Sequence, residues 1–138
     1  MEDAEILVET KINPTESEEK VKRAVENVFG DINARRKSYR KECLLFSEIE
    51  GLEALTKLHN LLRRERIRSA ARAVFFSGLK GKVISFCLNK QVAYVGHISF
   101  SGEVGESPLG PIKVRIQCEN PRELINWLTS RTLQDVQI

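Results

Sequence analysis

The segment Leu79–Phe100, LKGKVISFCLNKQVAYVGHISF, decides the fold of this chain. Its first half places Ile84, Phe86 and Leu88 at alternate positions, which is the pattern of a β-strand with one fully apolar face. After the polar interruption Asn89–Gln91, the run that reaches Phe100 predicts a second strand. Two strands so close in the chain are expected to lie near each other in one sheet and to run antiparallel.

The N-terminal third predicts a strand followed by a helix. Apolar and polar residues alternate from Ile6 to Ile12, and Pro14 ends the strand because it cannot donate to a sheet. Thr15 is then expected to cap a helix, with Glu18 completing a capping box. The helix presents its apolar stripe at helical spacing and ends at a glycine. The residues of that stripe are Val21, Ala24, Val25, Val28 and Phe29.

The middle of the chain predicts a further strand and the longest helical region. Asp31–Lys41 is a connection or a short strand, and Cys43–Ile49 is a strand. After Gly51, leucines at helical spacing predict a helix. A second apolar stripe follows at Ile67–Phe75, so this helix either bends near Arg64–Arg66 or continues. The leucines of the first stripe are Leu52, Leu55, Leu58, Leu61 and Leu62.

The C-terminal part predicts a loop, a strand and a short helix. The Gly- and Pro-rich segment Ser101–Pro111 is expected to be a mobile loop, and Ile112–Cys118 alternates as a strand. Asn120 and Pro121 begin the last helix, and residues 130–138 are expected to form a partly ordered tail. The sequence thus predicts a single domain over residues 1–138, of the α+β class. We expect a mainly antiparallel sheet with helices packed on one face.

The composition favours an intracellular protein, and we expect a cytoplasmic one. The first residues, Met1–Glu5, are acidic, unlike a secretory signal, and no apolar run is long enough to span a membrane. The three cysteines lie far apart without a C-x-x-C pair, so neither a disulfide framework nor a metal site is expected. These cysteines are Cys43, Cys87 and Cys118.

Catalytic chemistry has no visible basis in the sequence, so we do not predict an enzyme, a cofactor or a small-molecule substrate. His59 is expected at a surface or boundary position, and His97 in the sheet of the opening segment; neither has ligands at metal-binding spacing. The glycines and lysines of Gly78–Lys82 fail the phosphate-loop spacing.

Positive charge is concentrated in the middle of the chain. Residues 35–90 carry fourteen Lys or Arg and five Asp or Glu, against a net charge of +3 for the whole chain. Such a region suggests an anionic partner, and nucleic acid first. Arg64, Arg68 and Arg72, spaced four apart, are predicted to line one helix face. The full set of predicted phosphate contacts is Arg35, Arg36, Lys37, Arg40, Arg64, Arg66, Arg68, Arg72, Lys80, Lys82 and Lys90, with Lys113 and Arg115 adding to it from the last strand.

These segments resemble an uncharacterised archaeal protein family that is predicted to bind RNA. The resemblance implies a fold like that of the ribosomal protein that binds the small five-S RNA, and a relation to proteins predicted to accompany the archaeal exosome. It implies no catalytic residues, and Thr129–Asp135 departs from the family's expected end. The matching pieces are Val8–Lys11, Asn13–Glu16, Glu19–Val21, Leu61–Arg72, Ile84–Phe86, Leu88–Gln91, Ala93–Gly96, Ser107–Ile112 and Trp127–Leu128.

Two functional hypotheses follow from the sequence. The first is a non-catalytic protein that binds structured RNA through its basic helix and the basic connection before it. The alternative is a protein-interaction or homodimer module with no nucleic-acid role, in which the arginines pair with acidic residues on the surface. Its interface would be the strand Cys43–Ile49, if exposed, or the apolar tail residues Leu133, Val136 and Ile138.

Overall fold

A seven-stranded antiparallel sheet is the framework of the computed structural model, which describes residues 4–102 and 109–130. Five helices accompany the sheet in that part of the chain. The elements in chain order are β1 (Glu5–Ile12), α1 (Glu18–Phe29), β2 (Arg35–Tyr39), β3 (Glu42–Glu50), α2 (Glu53–Arg64), α3 (Arg68–Ser77), β4 (Leu79–Lys80), β5 (Val83–Asn89), α4 (Lys90–Tyr94), β6 (Phe100–Ser101), β7 (Pro111–Gln117) and α5 (Pro121–Leu128).

The order of the strands is β2-β3-β1-β7-β5-β4, and β6 also pairs with β5. The register places Val8 of β1 opposite Ser47 of β3 and Val114 of β7, and Val114 opposite Phe86 of β5. Because side chains alternate along a strand, this register collects the apolar positions of four strands on one face. The alternation in β1, β5 and β7 predicted from sequence is confirmed.

One hydrophobic core joins that face to the apolar stripes of the helices. Val25 of α1, Leu58 of α2 and Phe75 of α3 are all buried against it. The α+β fold with an antiparallel sheet is therefore confirmed. Within residues 4–102 and 109–130, the buried helix stripes pack on that one face; we call the opposite face the helix-free face, which α3 reaches only at its margin. It carries Glu5, Leu7 and Glu9 of β1, Arg35 and Lys37 of β2, Leu44 and Phe46 of β3, Ser85 and Cys87 of β5, and Lys113 and Arg115 of β7.

The prediction of a second strand within Leu79–Phe100, after Gln91, is wrong. The side chain of Asn89 accepts a hydrogen bond from Val92 N at 3.0 Å and caps the short helix α4. Strand structure returns only at β6, so His97 lies in the connection and not in the sheet. The cap competes with strand pairing because an Asn side chain satisfies a free backbone N–H locally.

The first helix also begins later than the capping box predicted, at Glu18 and not after Thr15. Glu16 N donates to Asn13 O at 2.9 Å, and the Glu16 carboxylate accepts from both nitrogens of Asn13. These bonds form a closed turn before the helix. The carboxylate of Glu16 therefore has a partner other than the helix N-terminus.

That carboxylate forms an ion pair with Lys90, which is only 3% exposed. Lys90 Nζ donates to Glu16 Oε1 at 3.0 Å, to Lys11 O at 2.6 Å and to Leu109 O at 2.8 Å. Three acceptors satisfy the three hydrogens of the ammonium. Burial lowers the pKa of Lys90, against the hydrogen bond and charge of Glu16, which raise it. Lys90 thus joins the ends of β1, β5 and β7.

Acid should weaken this contact through Glu16. Burial opposes ionisation of Glu16, but hydrogen bonds from Asn13 and the ammonium of Lys90 outweigh it and lower its pKa below 4.5. Because the pKa is lowered in the folded state, the carboxylate contributes stability that is complete above about pH 4.5. That contribution is lost as the pH falls through the pKa of the folded state. In urea unfolding series, Glu16→Gln should therefore lose less stability than the wild type between about pH 5 and pH 3.

A matched control for that series is Glu53→Gln, which removes an exposed carboxylate on α2. It should keep the wild-type decline in unfolding free energy. An equal decline in wild type and Glu16→Gln would contradict the assignment of acid sensitivity to Glu16.

The long helical region is broken, and the two halves form separate helices. Arg66 has a φ of 57°, a left-handed conformation that ends α2 before α3 begins. Arg64 thus lies on a different helix from Arg68 and Arg72, and the prediction that the three line one helix face is wrong. Spacing by four residues places side chains together only while the helix continues.

The strand predicted at Cys43–Ile49 is confirmed as β3, but it has no free edge. β2 pairs with one side of it and β1 with the other. A homodimer through an exposed edge of this strand is therefore ruled out, and a dimer by another surface stays a prediction. The predicted loop falls largely outside the described residues, as does the tail after Ser130, including Leu133, Val136 and Ile138.

Candidate nucleic-acid interface

The junction of α2 and α3 brings together five arginines, which we call the arginine corner: Arg63, Arg64, Arg66, Arg68 and Arg72. Arg64 Nη2 donates to Gly96 O at 2.7 Å, which ties α2 to the connection after α4. Arg68 Nη1 donates to Ser130 O at 3.3 Å, beyond the end of α5. These two bonds tie the junction of α2 and α3 to the segments that follow α4 and α5.

Arg72 is held by a hydrogen bond and by an aromatic ring. Its Nη1 donates to Asn126 Oδ1 at 2.7 Å, and its guanidinium lies 4.9 Å from the centre of the Phe76 ring. Arg122 of α5 approaches the same ring at 5.6 Å. Cations over an aromatic face are stabilised by the ring electrons. Sequence reasoning missed Arg122, since it lies 50 residues away in a helix that looked merely structural.

Four of the five corner arginines carry a charge that no described acid neutralises. In the described part of the chain, no carboxylate pairs with Arg63, Arg64, Arg66 or Arg72. Glu65, the one acid within the basic run, accepts instead from Ile98 N at 3.4 Å and lies 2.8 Å from His97 Nδ1. The hydrogen bonds of Arg64 and Arg72 go to neutral oxygens, so their positive charge stays available to an anion.

Other basic residues predicted at the site are separated from the corner. Arg35 and Lys37 lie on the helix-free face, where Lys37 Nζ is 4.5 Å from the Phe46 ring centre. Arg36 points to the other face, 3.6 Å from Glu18 and within hydrogen-bond distance of Cys43 Sγ. That sulfur, with the charge of Glu18, raises the pKa of Arg36.

Three further basic residues of the predicted set lie in a turn, in a surface ion pair and in the core: Arg40, Lys82 and Lys90. Arg40 lies in the turn between β2 and β3, with a φ of 49°. Lys82 pairs with Glu119 at 2.5 Å on the surface. Lys90 is buried, and its three donors are already used. The prediction that Lys90 contacts a phosphate is therefore wrong, because the ammonium is not accessible to an anion outside the protein.

A second basic surface lies on the helix-free face. A groove of about 970 Å³ runs over β7 and β5 and reaches the end of α3; we call it the strand groove. Lys80, Lys113 and Arg115 line it together with one carboxylate, Glu9. Its remaining lining includes Leu7, Ala73, Val74, Ser77, Gly78, Ser85, Cys87 and Ser101. Alternation in β7 predicted that Lys113 and Arg115 would be exposed, and that is confirmed.

Acidic side chains gather on the helix-free face at one end of β1 and β3. Glu5 lies opposite Glu50, and Glu48 lies opposite Leu7, at the end of β1 that is farthest from Lys37. Positive charge therefore divides into the arginine corner, the strand groove and the β2 side of the sheet.

The described residues contain neither a cluster of metal-binding side chains nor a helix able to cross a membrane. No three His, Cys, Asp or Glu side chains there are placed to hold an ion. None of the helices found in residues 4–102 and 109–130 combines the length and apolar character of a membrane span. His59, half-buried as predicted for a boundary position, stacks on Trp127 at 4.8 Å.

Comparison with known proteins places this fold and these residues in a family. A family model described as RNA binding matches residues 5–118. A UPF0201 protein of Sulfurisphaera tokodaii is 44% identical over 133 residues, covering 96% of this chain and 92% of the relative. A UPF0201 protein of Pyrobaculum calidifontis is 42% identical over 129 residues, covering 93% and 89%.

Solved structures give the same result. The crystal structure of a UPF0201 protein from Methanococcus jannaschii superimposes with a TM-score of 0.78 at 30% identity, over 91% of this chain and 99% of that one. The resemblance noted from the sequence is thereby confirmed. The family model matches residues 5–118, and archaeal UPF0201 proteins are more than 40% identical to this chain. This chain therefore belongs to the family described as RNA binding.

Proposed function

We propose that this protein binds structured RNA without catalysing a reaction on it, and that the arginine corner supplies the phosphate contacts. The observation that carries the proposal is the lack of carboxylate partners for Arg63, Arg64, Arg66 and Arg72 among the described residues, in a chain whose family is described as RNA binding. Ion pairs occupy other exposed cations of the protein, such as Lys11 and Lys82.

The geometry of the corner suits phosphate binding. A guanidinium has five donors in a fixed plane, and the observed bonds of Arg64 and Arg72 use only the terminal nitrogens on one side. Contacts to neighbouring backbone and amide oxygens hold these side chains in place before RNA arrives, so less conformational entropy is lost on binding. Such contacts read the phosphate backbone and carry little sequence information.

Of the residues predicted from sequence, the proposal retains the corner arginines as the principal contacts. Arg35, Lys37 and Arg40 remain exposed and could extend the interface, whereas Lys80 belongs to the strand groove. Arg36 and Lys82 are weaker candidates because each lies near a carboxylate, and Lys90 is removed from the set.

Neutralising the corner should weaken RNA binding and its dependence on salt. The variant Arg64→Gln/Arg66→Gln/Arg72→Gln should bind a blunt hairpin RNA less tightly than the wild type at low salt. The slope of log affinity against log salt concentration should fall in magnitude by about 3, or about 1 for each lost phosphate contact. Filter binding or fluorescence anisotropy over a salt series measures both quantities.

A charge-matched control comes from the ion-paired cations. Lys11→Gln/Arg36→Gln/Lys82→Gln removes the same formal charge from residues that lie 3.4, 3.6 and 2.5 Å from carboxylates. It should change affinity and salt slope much less. The proposal is wrong if the wild type fails to bind hairpin RNA at low salt, or if the control weakens binding as much as the corner variant. Circular dichroism confirms that both variants are folded.

A further inference from the structure

Helix α3 lies between the arginine corner and the strand groove. On one side, Arg68 and Arg72 reach α5 through Ser130 O and Asn126 Oδ1. On another, Ala73 and Ser77 line the groove. The two basic surfaces are thus separated only by the width of one helix, about 10 Å. A polymer bound at the corner can continue around α3 into the groove.

At one end of the groove, the residue that joins α3 to β4 lies unusually close to β5. Ser85 N donates to Gly78 O at 3.0 Å, and a Cβ on Gly78 would lie 1.8 Å from Ser85 O. This contact continues the β4–β5 pairing by one residue and so fixes the end of α3 beside β5. The groove is therefore a fixed feature of the fold.

The chemistry of the groove differs from that of the corner. Leu7 and Val74 give it an apolar component, and Ser85 and Ser101 supply hydroxyl groups. Positive charge comes from Lys80, Lys113 and Arg115. In the described part of the chain, neither Lys80 nor Arg115 has a carboxylate partner. Glu9, the acid in the lining, lies directly across the strands from Lys113.

We propose that the strand groove binds a single-stranded segment of an RNA whose structured part is held at the arginine corner; this rests on the function proposed above. A single strand can turn its bases toward apolar side chains while its phosphates meet cations at the edge. The groove, at about 970 Å³, matches the upper range of small-molecule sites and has room for more than one nucleotide. We assign a strand and not a free nucleotide because the groove lies one helix width from the corner that holds the structured part of the RNA.

The test compares two RNAs that share one hairpin, of which one is blunt and the other carries an eight-nucleotide 3′ oligouridine extension. Wild-type protein should bind the extended RNA about tenfold more tightly than the blunt one, since the extension adds phosphate contacts to Lys80 and Arg115 that the blunt hairpin lacks. Lys80→Gln/Arg115→Gln should remove this gain and leave affinity for the blunt hairpin close to that of the wild type.

A variant that fills the groove without changing its charge provides a second test of the inference. Ala73→Trp places a bulky side chain in the groove and should also remove the gain. Its matched control is Ala70→Trp, at an exposed position of the same helix that does not line the groove. The control should keep the full gain.

The outcomes separate this inference from the proposed function. If the blunt hairpin does not bind wild-type protein, the corner function fails. If the blunt hairpin binds but the extension gives no gain, or the gain survives in both groove variants, only the groove inference fails. If uridine monophosphate in excess abolishes the gain, the groove takes a mononucleotide and the assignment of a strand is overturned.

Discussion

Replacement of Lys90 by methionine should lower the free energy of unfolding by about 4 kcal/mol. Methionine preserves much of the volume of the side chain but has no ammonium. The carboxylate of Glu16 would keep its charge and lose its partner, and Lys11 O and Leu109 O would each lose a donor. Removing one member of a buried ion pair is costly because the other charge stays desolvated. Denaturant unfolding at neutral pH measures the change.

The matched control is Lys82→Met, which removes a lysine from an exposed ion pair. Lys82 and Glu119 have side chains that are 58% and 70% exposed, so solvent screens their attraction. The expected loss is below about 1 kcal/mol. Equal losses of unfolding free energy at both positions would show that burial of Lys90 does not determine its contribution to stability.

Substitution of Gly78 by alanine should destabilise the fold by about 3 kcal/mol. Gly78 has an ordinary φ of −91°, so the cost does not come from its backbone conformation. It comes from the backbone oxygen of Ser85, which would lie 1.8 Å from the new methyl group. A carbonyl within a sheet cannot move aside as a flexible side chain can, so the pairing of β4 with β5 would have to distort.

Gly81→Ala is the control for backbone strain without a steric clash. Gly81 has a φ of +60° and open space around it. Alanine there should cost about 1 kcal/mol, because an L-residue rarely adopts the left-handed region. Thermal or urea unfolding should rank Gly78→Ala as the more harmful change; the reverse order would contradict the close approach of Gly78 to β5.

Sequence periodicity predicted the strands with one apolar face well and the segment after Asn89 poorly. Ile84, Phe86 and Leu88 alternate because one side of β5 faces the core and the other faces solvent. Val92–Phe100 is rich in β-formers, but a single hydrogen bond from Val92 N to Asn89 turned its beginning into a helix. A local cap of this kind is not visible in a count of apolar positions.

The sequence predicts the candidate site only as a group of basic residues. The structure shows which of these residues lie together and which are accessible. The run from Arg64 to Arg72 was correctly singled out as basic, but the left-handed Arg66 broke the assumed helix face. Lys90 has the same side chain as Lys80, yet one is buried on three acceptors and the other is exposed. The difference depends on Lys11, Glu16 and Leu109, which are distant in sequence.

The sequence by itself determined the α+β class, the alternation of β1, β5 and β7, and the concentration of positive charge in residues 35–90. These properties are local, since they depend on side-chain spacing along one segment. Tertiary structure alone decided that Lys90 is buried, that Arg63, Arg64, Arg66 and Arg72 lack acidic partners among the described residues, and that α3 forms the wall of a groove. Each of these depends on which distant residues the sheet register and helix packing bring into contact, and spacing along the chain does not encode that.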